Sequence, residues 1–151
     1  MTKRYYGYDE CIEDSAFLVK DIKNFQPDAL VAIARGGLVL SHLLSEALDI
    51  RELYSLNSIH YDGTKKLNRF EIFNIPDLSN KNKVVLVDDI VDSGETMVEI
   101  MKILTNRYPK CEFRIATLFY KKTALIEPDF KVKEAKEWIE FFWEVDLKKK
   151  R

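Results

Sequence analysis

The chain has 151 residues, of which 46% are apolar and 32% are charged, and its formal net charge is −1. A chain of this length buries roughly two-thirds of its unfolded surface, so we expect one globular domain over residues 1–151. The balanced charge argues against broad electrostatic binding to nucleic acid. The chain contains no run of eighteen apolar residues, so no membrane-spanning helix is expected.

The cysteines and the first residues of the chain indicate in which cellular compartment the protein is expected. Cys11 and Cys111 are far apart and lack the spacing of a metal site, so reduced thiols in the cytosol are expected. The opening segment carries basic side chains, but no apolar stretch follows them, so we expect no signal peptide. The protein is therefore predicted to be cytoplasmic.

The first predicted element is a helix over residues 9–25. Asp9 suits the N-cap position, and Pro27 ends the segment. Its apolar side chains recur at helical spacing, which indicates one buried stripe. They are Ile12, Ala16, Val19 and Ile22.

A strand, a glycine-containing loop and a second helix follow. Residues 29–34 form an apolar run typical of a buried strand, and residues 38–48 predict a helix. Arg35, Gly36 and Gly37 lie between them. Glycines permit backbone conformations that other residues avoid, and the arginine offers several donors to an anion, which suits a pyrophosphate. Taken alone, the loop is equally consistent with an ordinary turn and a surface arginine. The inward side chains of this helix are predicted to be Leu40, Leu43, Leu44 and Ala47.

A hairpin is predicted next. Residues 53–61 alternate loosely between apolar and polar and predict a strand, and residues 70–75 predict a second strand that returns. The polar connection between them contains Lys66 and other basic residues. These cations are placed to reach an anion, but a solvated hairpin tip explains them equally well.

The central stretch of the chain carries most of the chemistry. Residues 84–87 are apolar and mostly β-branched, which is typical of a strand buried on both faces. Asp88 and Asp89 come where that strand is expected to end. Residues 92–96 then predict a turn into a helix. The apolar side chains of that helix are Met97, Ile100, Met101, Ile103 and Leu104.

This strand–loop–helix junction suits a phosphorylated sugar. The first N–H groups of a helix lack internal partners and attract a phosphate, with the hydroxyls of Ser93 and Thr96 as further donors. Gly94 permits a tight turn. Asp88 and Asp89 suit a vicinal diol and also offer hard oxygen ligands to Mg²⁺. A diol next to a phosphate describes a ribose 5-phosphate.

Two alternatives compete for the acidic pair. It can cap a helix or sit in solvent without function. It also resembles the first strand of a response-regulator receiver domain, which requires that strand near the N-terminus and a phosphoacceptor aspartate two strands later. Asp129 follows Pro128 rather than an apolar strand, which disfavours the receiver interpretation.

Residues 85–96, Val-Leu-Val-Asp-Asp-Ile-Val-Asp-Ser-Gly-Glu-Thr, resemble the 5-phosphoribosyl-1-pyrophosphate (PRPP) motif of the type I phosphoribosyltransferases. The Ala-Arg-Gly-Gly segment at residues 34–37 is similar to the pyrophosphate loop of the same family, in the form found in xanthine-guanine phosphoribosyltransferases. On this resemblance the PRPP-binding residues are Arg35, Gly36, Gly37, Lys66, Asp88, Asp89, Ile90, Val91, Asp92, Ser93, Gly94, Glu95 and Thr96.

The last third of the chain is aromatic. Residues 113–120 predict another core strand, and Lys121 follows it. By composition, residues 138–144 form a hydrophobic strand or an oligomer contact. They also resemble the Trp-Ile-Glu-x-x-Trp-Asp/Glu hood of xanthine-guanine phosphoribosyltransferases, which implies that Trp138 stacks on the purine and the backbone of Ile139 reads its edge. The resemblance also implies that Lys121 donates to the purine 6-oxo group, which disfavours adenine.

The alternation of strands and helices predicts an α/β domain with a mainly parallel twisted sheet flanked by helices, and with both glycine loops at its carboxyl edge. The resemblance implies a type I phosphoribosyltransferase fold with a core over about residues 9–125. It further implies a flexible lid over about residues 60–72 and a small C-terminal hood over about residues 126–147.

The implied activity is transfer of 5-phosphoribosyl from PRPP to N9 of a 6-oxopurine, giving a nucleoside 5′-monophosphate and pyrophosphate. Mg²⁺ is the implied cofactor, with Asp89 as its ligand. Asp92 is expected to contact the purine and to move the proton at N7. A homodimer or homotetramer is expected from the family. A phosphoribosyltransferase for another base and a non-catalytic PRPP-binding regulator remain alternatives.

Two positions depart from the family pattern. The lid is often introduced by Ser-Tyr, where this chain has His60 and Tyr61. Many relatives have Gly or Lys at the position of Glu95. We expect Glu95 to contact the phosphate through its backbone N–H alone, because a carboxylate beside a phosphate is repelled.

Overall fold

The computed structural model describes residues 2–61 and 69–149. Eight strands and three helices lie in these ranges, and none of the helices is long and apolar enough to cross a membrane. In chain order the elements are β1 (Lys3–Tyr6), α1 (Tyr8–Phe25), β2 (Ala29–Ala34), α2 (Leu38–Leu48), β3 (Leu53–Tyr61), β4 (Arg69–Phe73), β5 (Lys83–Val91), α3 (Glu95–Arg107), β6 (Glu112–Tyr120), β7 (Lys133–Glu134) and β8 (Trp138–Phe141).

Six strands form the main sheet in the order β4-β3-β2-β5-β6-β7, and all neighbouring pairs are parallel except β3 and β4. Side chains of β5 alternate between two cores. Val85 and Val87 pack with α1 and α2, whereas Val84 and Leu86 pack with α3. Helices therefore cover both faces, which explains why this strand is apolar throughout its first half. The predicted α/β fold is confirmed.

A second, two-stranded sheet joins the two ends of the chain. β1 pairs in parallel with β8, from Lys3 opposite Trp138 to Tyr6 opposite Phe141. The rings of Tyr6 and Phe141 pack edge-on against Phe119 of β6, with centroids 5.0 and 5.9 Å away. This small sheet therefore sits on the α1 side of the main sheet.

Helix α1 differs from its prediction at both its start and its buried face. It begins at Tyr8 with Gly7 as N-cap, so the predicted cap at Asp9 is wrong. The predicted stripe is also wrong at Ile12 and Ala16, which are exposed. The residues that face the core are Cys11, Asp14, Ser15, Leu18 and Ile22. A carboxylate is tolerated there because the Tyr6 hydroxyl donates to Asp14 over 2.7 Å and Lys133 lies 3.0 Å from it.

Three smaller corrections concern element ends. β5 does not end at Asp88 but continues to Val91, because its last residues pair with β6. β4 ends at Phe73, before the left-handed Asn74, rather than at residue 75. In α2, Ala47 is exposed instead of facing inward.

Candidate active site

Two strand–helix junctions meet at the carboxyl edge of the main sheet. β2 pairs in parallel with β5, so the loops that follow these strands lie side by side. A Cβ atom on Gly36 would lie 2.6 Å from Oδ2 of Asp89, and one on Gly37 would lie 2.1 Å from the carbonyl oxygen of Val87. The loop at residues 35–37 therefore packs directly on the acidic segment of β5.

The glycines of this loop have a different role from the predicted one. Gly37 has φ −85° and ψ −2°, which any residue adopts, and Gly36 is not left-handed either. A side chain at position 37 would clash with the backbone of β5, whereas one at position 36 would have to displace the side chain of Asp89. The peptide bond between Ala34 and Arg35 is cis.

The junction after β5 leads into α3. Gly94 is the N-cap with φ 85°, a left-handed conformation that favours glycine, and α3 begins at Glu95. A cavity of about 300 Å³ opens at this helix N-terminus. It is lined by Ser58, His60, Asp88, Ile90, Val91, Asp92, Ser93, Gly94, Thr96 and Met97. Glu95 is not among the described residues that line this cavity. The geometry suits a phosphate, with the N–H groups of the first helical turn and the hydroxyls of Ser93 and Thr96. The Glu95 N–H donates to Oγ of Ser93 over 3.3 Å.

Asp88 and Asp89 are half-buried on β5. The Asp89 N–H donates to Oδ1 of Asp88 over 2.9 Å, and the Ile90 N–H donates to Oδ1 of Asp89 over 2.7 Å. Burial raises the pKa of Asp88 well above its usual range, and the charge of Asp89 adds to this effect. Burial also raises the pKa of Asp89. Two carboxylates held in such surroundings indicate a binding site for a cation or for polar hydrogen atoms.

A second cavity, of about 620 Å³, connects Asp89 with the C-terminal segment. Its lining comprises Arg35, Gly36, Leu38, Val39, Asp89, Trp143, Glu144, Val145 and Asp146. Burial raises the pKa of Glu144, and the nearby charge of Asp89 raises it further. Glu144 is the last residue of the aromatic segment at residues 138–144, whose pattern gave no prediction of a role for this side chain.

The donor set around Asp89 fits Mg²⁺ as a substrate-bridging ion. Mg²⁺ in nucleotide-type sites usually takes one or two carboxylates, several waters and substrate phosphates. Within residues 2–61 and 69–149, no group of three or more His, Cys, Asp or Glu side chains is arranged to hold a metal. The described part of the chain therefore provides carboxylate oxygens as ligands for the ion, and a phosphorylated substrate would supply further oxygen ligands.

The structure brings the predicted catalytic acid to the predicted purine-binding lysine. Lys121 follows β6 directly, and its N–H donates to the carbonyl oxygen of Val91 over 3.0 Å. Its ammonium Nζ lies 2.8 Å from Oδ1 of Asp92. A base that contacts Lys121 would therefore also meet Asp92.

The hood residues are placed differently from that pair. Trp138 begins β8 and is 56% exposed, whereas Ile139 is buried. Ile139 lines a separate cavity of about 330 Å³ together with Arg4, Phe119 and Lys133. Neither Trp138 nor Ile139 lines the cavities that contain Asp89 and Asp92. Stacking of Trp138 on the purine therefore stays a prediction.

A further cavity, of about 640 Å³, lies at the carboxyl edge between the Arg35 loop and the end of β3. It is lined by Ala34, Arg35, Gly36, Asn57, Ser58, Ile59 and His60. Ser58 and His60 were not predicted as site residues, because a loosely alternating strand gives no sign of which of its side chains face a ligand. Lys66, a predicted PRPP contact, lies outside the described residues.

Known proteins share both the sequence pattern and the fold. The family model described as "Phosphoribosyl transferase domain" matches residues 3–150. The xanthine-guanine phosphoribosyltransferase of Ruegeria sp. (strain TM1040) is 31% identical over 157 aligned residues, covering 95% of this chain and 86% of that protein. The xanthine-guanine-hypoxanthine phosphoribosyltransferase structure from Helicobacter pylori has a TM-score of 0.89 at 41% identity, covering 97% of both chains. A purine phosphoribosyltransferase structure from Pyrococcus horikoshii Ot3 has a TM-score of 0.84 at 31% identity, with the same coverage.

The fold, the site and these matches define the class of protein. The chain belongs to the type I phosphoribosyltransferase family. It is therefore an enzyme, a glycosyltransferase that transfers a pentosyl group. The resemblance based on residues 85–96 is confirmed at the level of the family, and the roles of individual site residues stay predictions.

Proposed function

We propose that this enzyme transfers the 5-phosphoribosyl group of PRPP to N9 of a 6-oxopurine in cytoplasmic purine salvage, releasing pyrophosphate. The observation that supports this most directly is the packing of Gly36 against Asp89, because it unites the two junctions in one site. The relatives named for xanthine, guanine and hypoxanthine support the 6-oxopurine class. A homodimer or homotetramer is the expected assembly.

PRPP would lie across the carboxyl edge of the sheet. Its 5-phosphate accepts from the N–H groups and hydroxyls of residues 93–96 at the start of α3. Its pyrophosphate lies against the Arg35 loop, whose guanidinium supplies charge-assisted hydrogen bonds. Asp88 and Asp89 accept from the ribose hydroxyls between these two ends.

The candidate ligand for the metal is Asp89. Asp89 would hold Mg²⁺, and the ion would neutralise the charge that develops on the departing pyrophosphate. The raised pKa values of Asp88 and Asp89 are consistent with a site that becomes more favourable once a cation is present.

The chemical step exchanges one bond at C1 of the ribose for another. The bond from C1 to the pyrophosphate oxygen breaks, and the purine N9 lone pair forms the new bond. The ribose passes through a state with oxocarbenium character, so positioning and charge stabilisation account for most of the rate. Asp92 takes up the proton at purine N7, and the ammonium of Lys121 donates to the 6-oxo group.

A spectrophotometric assay tests the proposal. Purified protein, PRPP and Mg²⁺ are combined in turn with guanine, xanthine, hypoxanthine and adenine, and nucleotide formation is followed. Turnover is expected with at least one 6-oxopurine and not with adenine, whose amino group presents donors to Lys121. The Asp92→Asn protein is the matched control and should be slower by about 10²- to 10⁴-fold. PRPP binding without turnover of any base would instead favour a non-catalytic regulator.

A further inference from the structure

The chain that follows β6 is bonded at two points to the segment that joins β5 to α3. The Lys121 N–H donates to the carbonyl oxygen of Val91 over 3.0 Å, and the Leu125 N–H donates to that of Ser93 over 2.8 Å. We call residues 121–125 the β6 turn. Its first and last residues are therefore both attached to the junction before α3.

The β6 turn also packs closely on this junction. A Cβ atom on Gly94 would lie 2.9 Å from the backbone nitrogen of Leu125 and 3.1 Å from that of Ile126. The Ala124 N–H donates to the carbonyl oxygen of Lys121 over 3.1 Å and closes the turn. The side chain of Leu125, in contrast, is 70% exposed. Leu125 therefore contacts the junction through its backbone.

The two bonds bracket the pair of side chains that is proposed to read the base. Val91 and Ser93, whose carbonyl oxygens accept them, are the neighbours of Asp92, and Lys121 begins the turn. Nζ of Lys121 and Oδ1 of Asp92 lie 2.8 Å apart, but both side chains are partly exposed, so their attraction alone holds this spacing only weakly. The backbone bonds fix the positions from which the two side chains extend.

Loss of the bond from Leu125 would move the turn more than the junction. Residues 92–94 are held between the end of β5 and the start of α3, whereas residues 121–128 belong to no helix or strand. The turn is thus the part that depends on the bond. Lys121 would move with it.

We propose that Leu125 is a positioning residue of this enzyme, whose backbone N–H holds the β6 turn on the junction and so places Lys121 against the 6-oxo group of the purine. This inference rests on the proposed function and adds to it a residue that acts through Lys121. Leu125 lines neither the cavity that contains Asp89 nor the one that contains Asp92.

Replacement of the Leu125 amide by an ester removes the N–H and keeps the side chain. The ester is made by incorporating the α-hydroxy acid analogue of leucine at position 125. We expect KM to rise roughly tenfold for the 6-oxopurine that the wild-type protein uses best, because Lys121 no longer donates to it in good geometry. KM for PRPP should stay within about twofold, and Tm should fall by about 4 °C or less.

The matched control is the same chemical change at Ile50. The Ile50 N–H donates to the carbonyl oxygen of Ser45 over 3.0 Å, after the end of α2 and before β3 begins. This bond therefore lies at the amino edge of the sheet, away from both junctions. The Ile50 ester should lower Tm by a similar amount and leave both KM values unchanged.

A double-mutant cycle separates positioning from a general loss of structure. In the Lys121→Ala protein, the Leu125 ester should change KM for the purine by less than about twofold, because the side chain that it positions is absent. Insertion of one glycine between the exposed Lys122 and Thr123 lengthens the turn with standard residues. It should give the same results in both backgrounds, and it replaces the ester if the ester protein does not fold.

The possible outcomes distinguish this inference from the proposed function. A wild-type KM for the purine in the Leu125 ester, or an equal effect of the ester with and without the Lys121 side chain, overturns the role of Leu125 and leaves the proposed function intact. Equal effects of the Leu125 and Ile50 esters on KM also overturn it. Failure of the wild-type protein to convert any 6-oxopurine with PRPP overturns both.

Discussion

Lys121 and Asp92 form an ion pair, which in the proposed function would place recognition of the base next to proton transfer. The two side chains are 2.8 Å apart. A 6-oxopurine that accepts a hydrogen bond from the ammonium therefore brings its N7 close to the carboxylate. Because both side chains are partly exposed, their mutual attraction is weak, and a ligand can displace one side chain from the other.

We expect Lys121→Ala to raise KM for the 6-oxopurine by about tenfold or more, because a hydrogen bond from a charged donor is lost. KM for PRPP should change little. Lys122→Ala is the control, since Lys122 is exposed and lies 3.7 Å from Glu134. Steady-state kinetics with both substrates varied will measure the difference. Equal effects of the two substitutions would argue against base recognition by Lys121.

In the pair of Asp88 and Asp89, burial of a carboxylate is expected to lower stability at the same position where function requires it. Burial raises the pKa of Asp88, so its folded pKa exceeds its unfolded pKa. The folded state then binds more protons between these two values, and stability falls as pH rises through the folded pKa. An ionised Asp88 is therefore expected to destabilise the protein at neutral pH.

Asp88→Asn should accordingly raise Tm at neutral pH by roughly 2–4 °C, which corresponds to about 1 kcal/mol in a domain of this size. It should also weaken PRPP binding and flatten the dependence of Tm on pH. Asp77→Asn is a suitable control, because hydrogen bonds from Ser79 lower the pKa of Asp77 and its ionised form is already favoured. Thermal unfolding across a pH series measures both effects. A lower Tm for Asp88→Asn would contradict the expectation.

At the level of elements, the local sequence pattern was sufficient to predict the bounds of a strand or helix that does not depend on distant parts of the chain. β2, α2 and β3 have the predicted bounds, because an apolar run marks β2, helical spacing marks α2 and loose alternation marks β3. The buried face of α1 could not be predicted, since Asp14 accepts a hydrogen bond from Tyr6 of β1 and pairs with Lys133 of β7. β1 itself was missed because its partner, β8, lies at the other end of the chain.

The same limit applied to the site. Both glycine junctions were predicted from their own residues, and the structure places them in contact. The position of Glu144 in the same cavity as Asp89 was not predicted, because it depends on how the chain returns to Asp89 after β8. His60 was recognised as a departure from the family, yet its place between two cavities follows from the pairing of β3 with β2.

The loop at residues 35–37 offers a comparison between neighbouring glycines. A Cβ on Gly36 meets the end of the Asp89 side chain, which can move, whereas one on Gly37 meets the backbone carbonyl of Val87, which cannot. Gly37→Ala should therefore lower the free energy of unfolding by about 1–3 kcal/mol. Gly36→Ala should cost less than about 1 kcal/mol in stability but raise KM for PRPP about tenfold or more, because it displaces Asp89.

Urea unfolding and PRPP kinetics on the two glycine variants will test this contrast. Gly37→Ala is expected to change mainly stability and Gly36→Ala mainly KM for PRPP, so each variant serves as the other's control. If both variants lose stability equally and neither changes KM for PRPP, the contact between the loop and Asp89 has no functional role.

At the scale of the molecule, one lysine links the last strand of the main sheet to the first helix. Lys133 of β7 contacts Glu10 and lies 3.0 Å from Asp14, which is 5% exposed. The Tyr6 hydroxyl completes the surroundings of Asp14 from β1. Three distant parts of the chain therefore converge on one buried carboxylate.

We expect Lys133→Met to lower the free energy of unfolding by about 2–4 kcal/mol, because Asp14 is left buried without its cation. The value lies below that of a fully enclosed pair because Lys133 is partly exposed. Lys131→Met, which removes a pair with the exposed Glu127, should cost less than about 1 kcal/mol. Urea unfolding measures both, and similar losses would show that Asp14 does not depend on Lys133.

The pairing of β1 with β8 has a consequence for biosynthesis. A nascent chain that has emerged as far as residue 125 already carries both phosphate junctions, but β1 has no partner until the last strand leaves the ribosome. The two junctions are thus expected to form earlier in translation than the sheet of β1 and β8, which requires residues 138–141. Until then β1 exposes an open hydrogen-bonding edge, and chaperones that recognise such edges have their longest opportunity at the N-terminus of this enzyme.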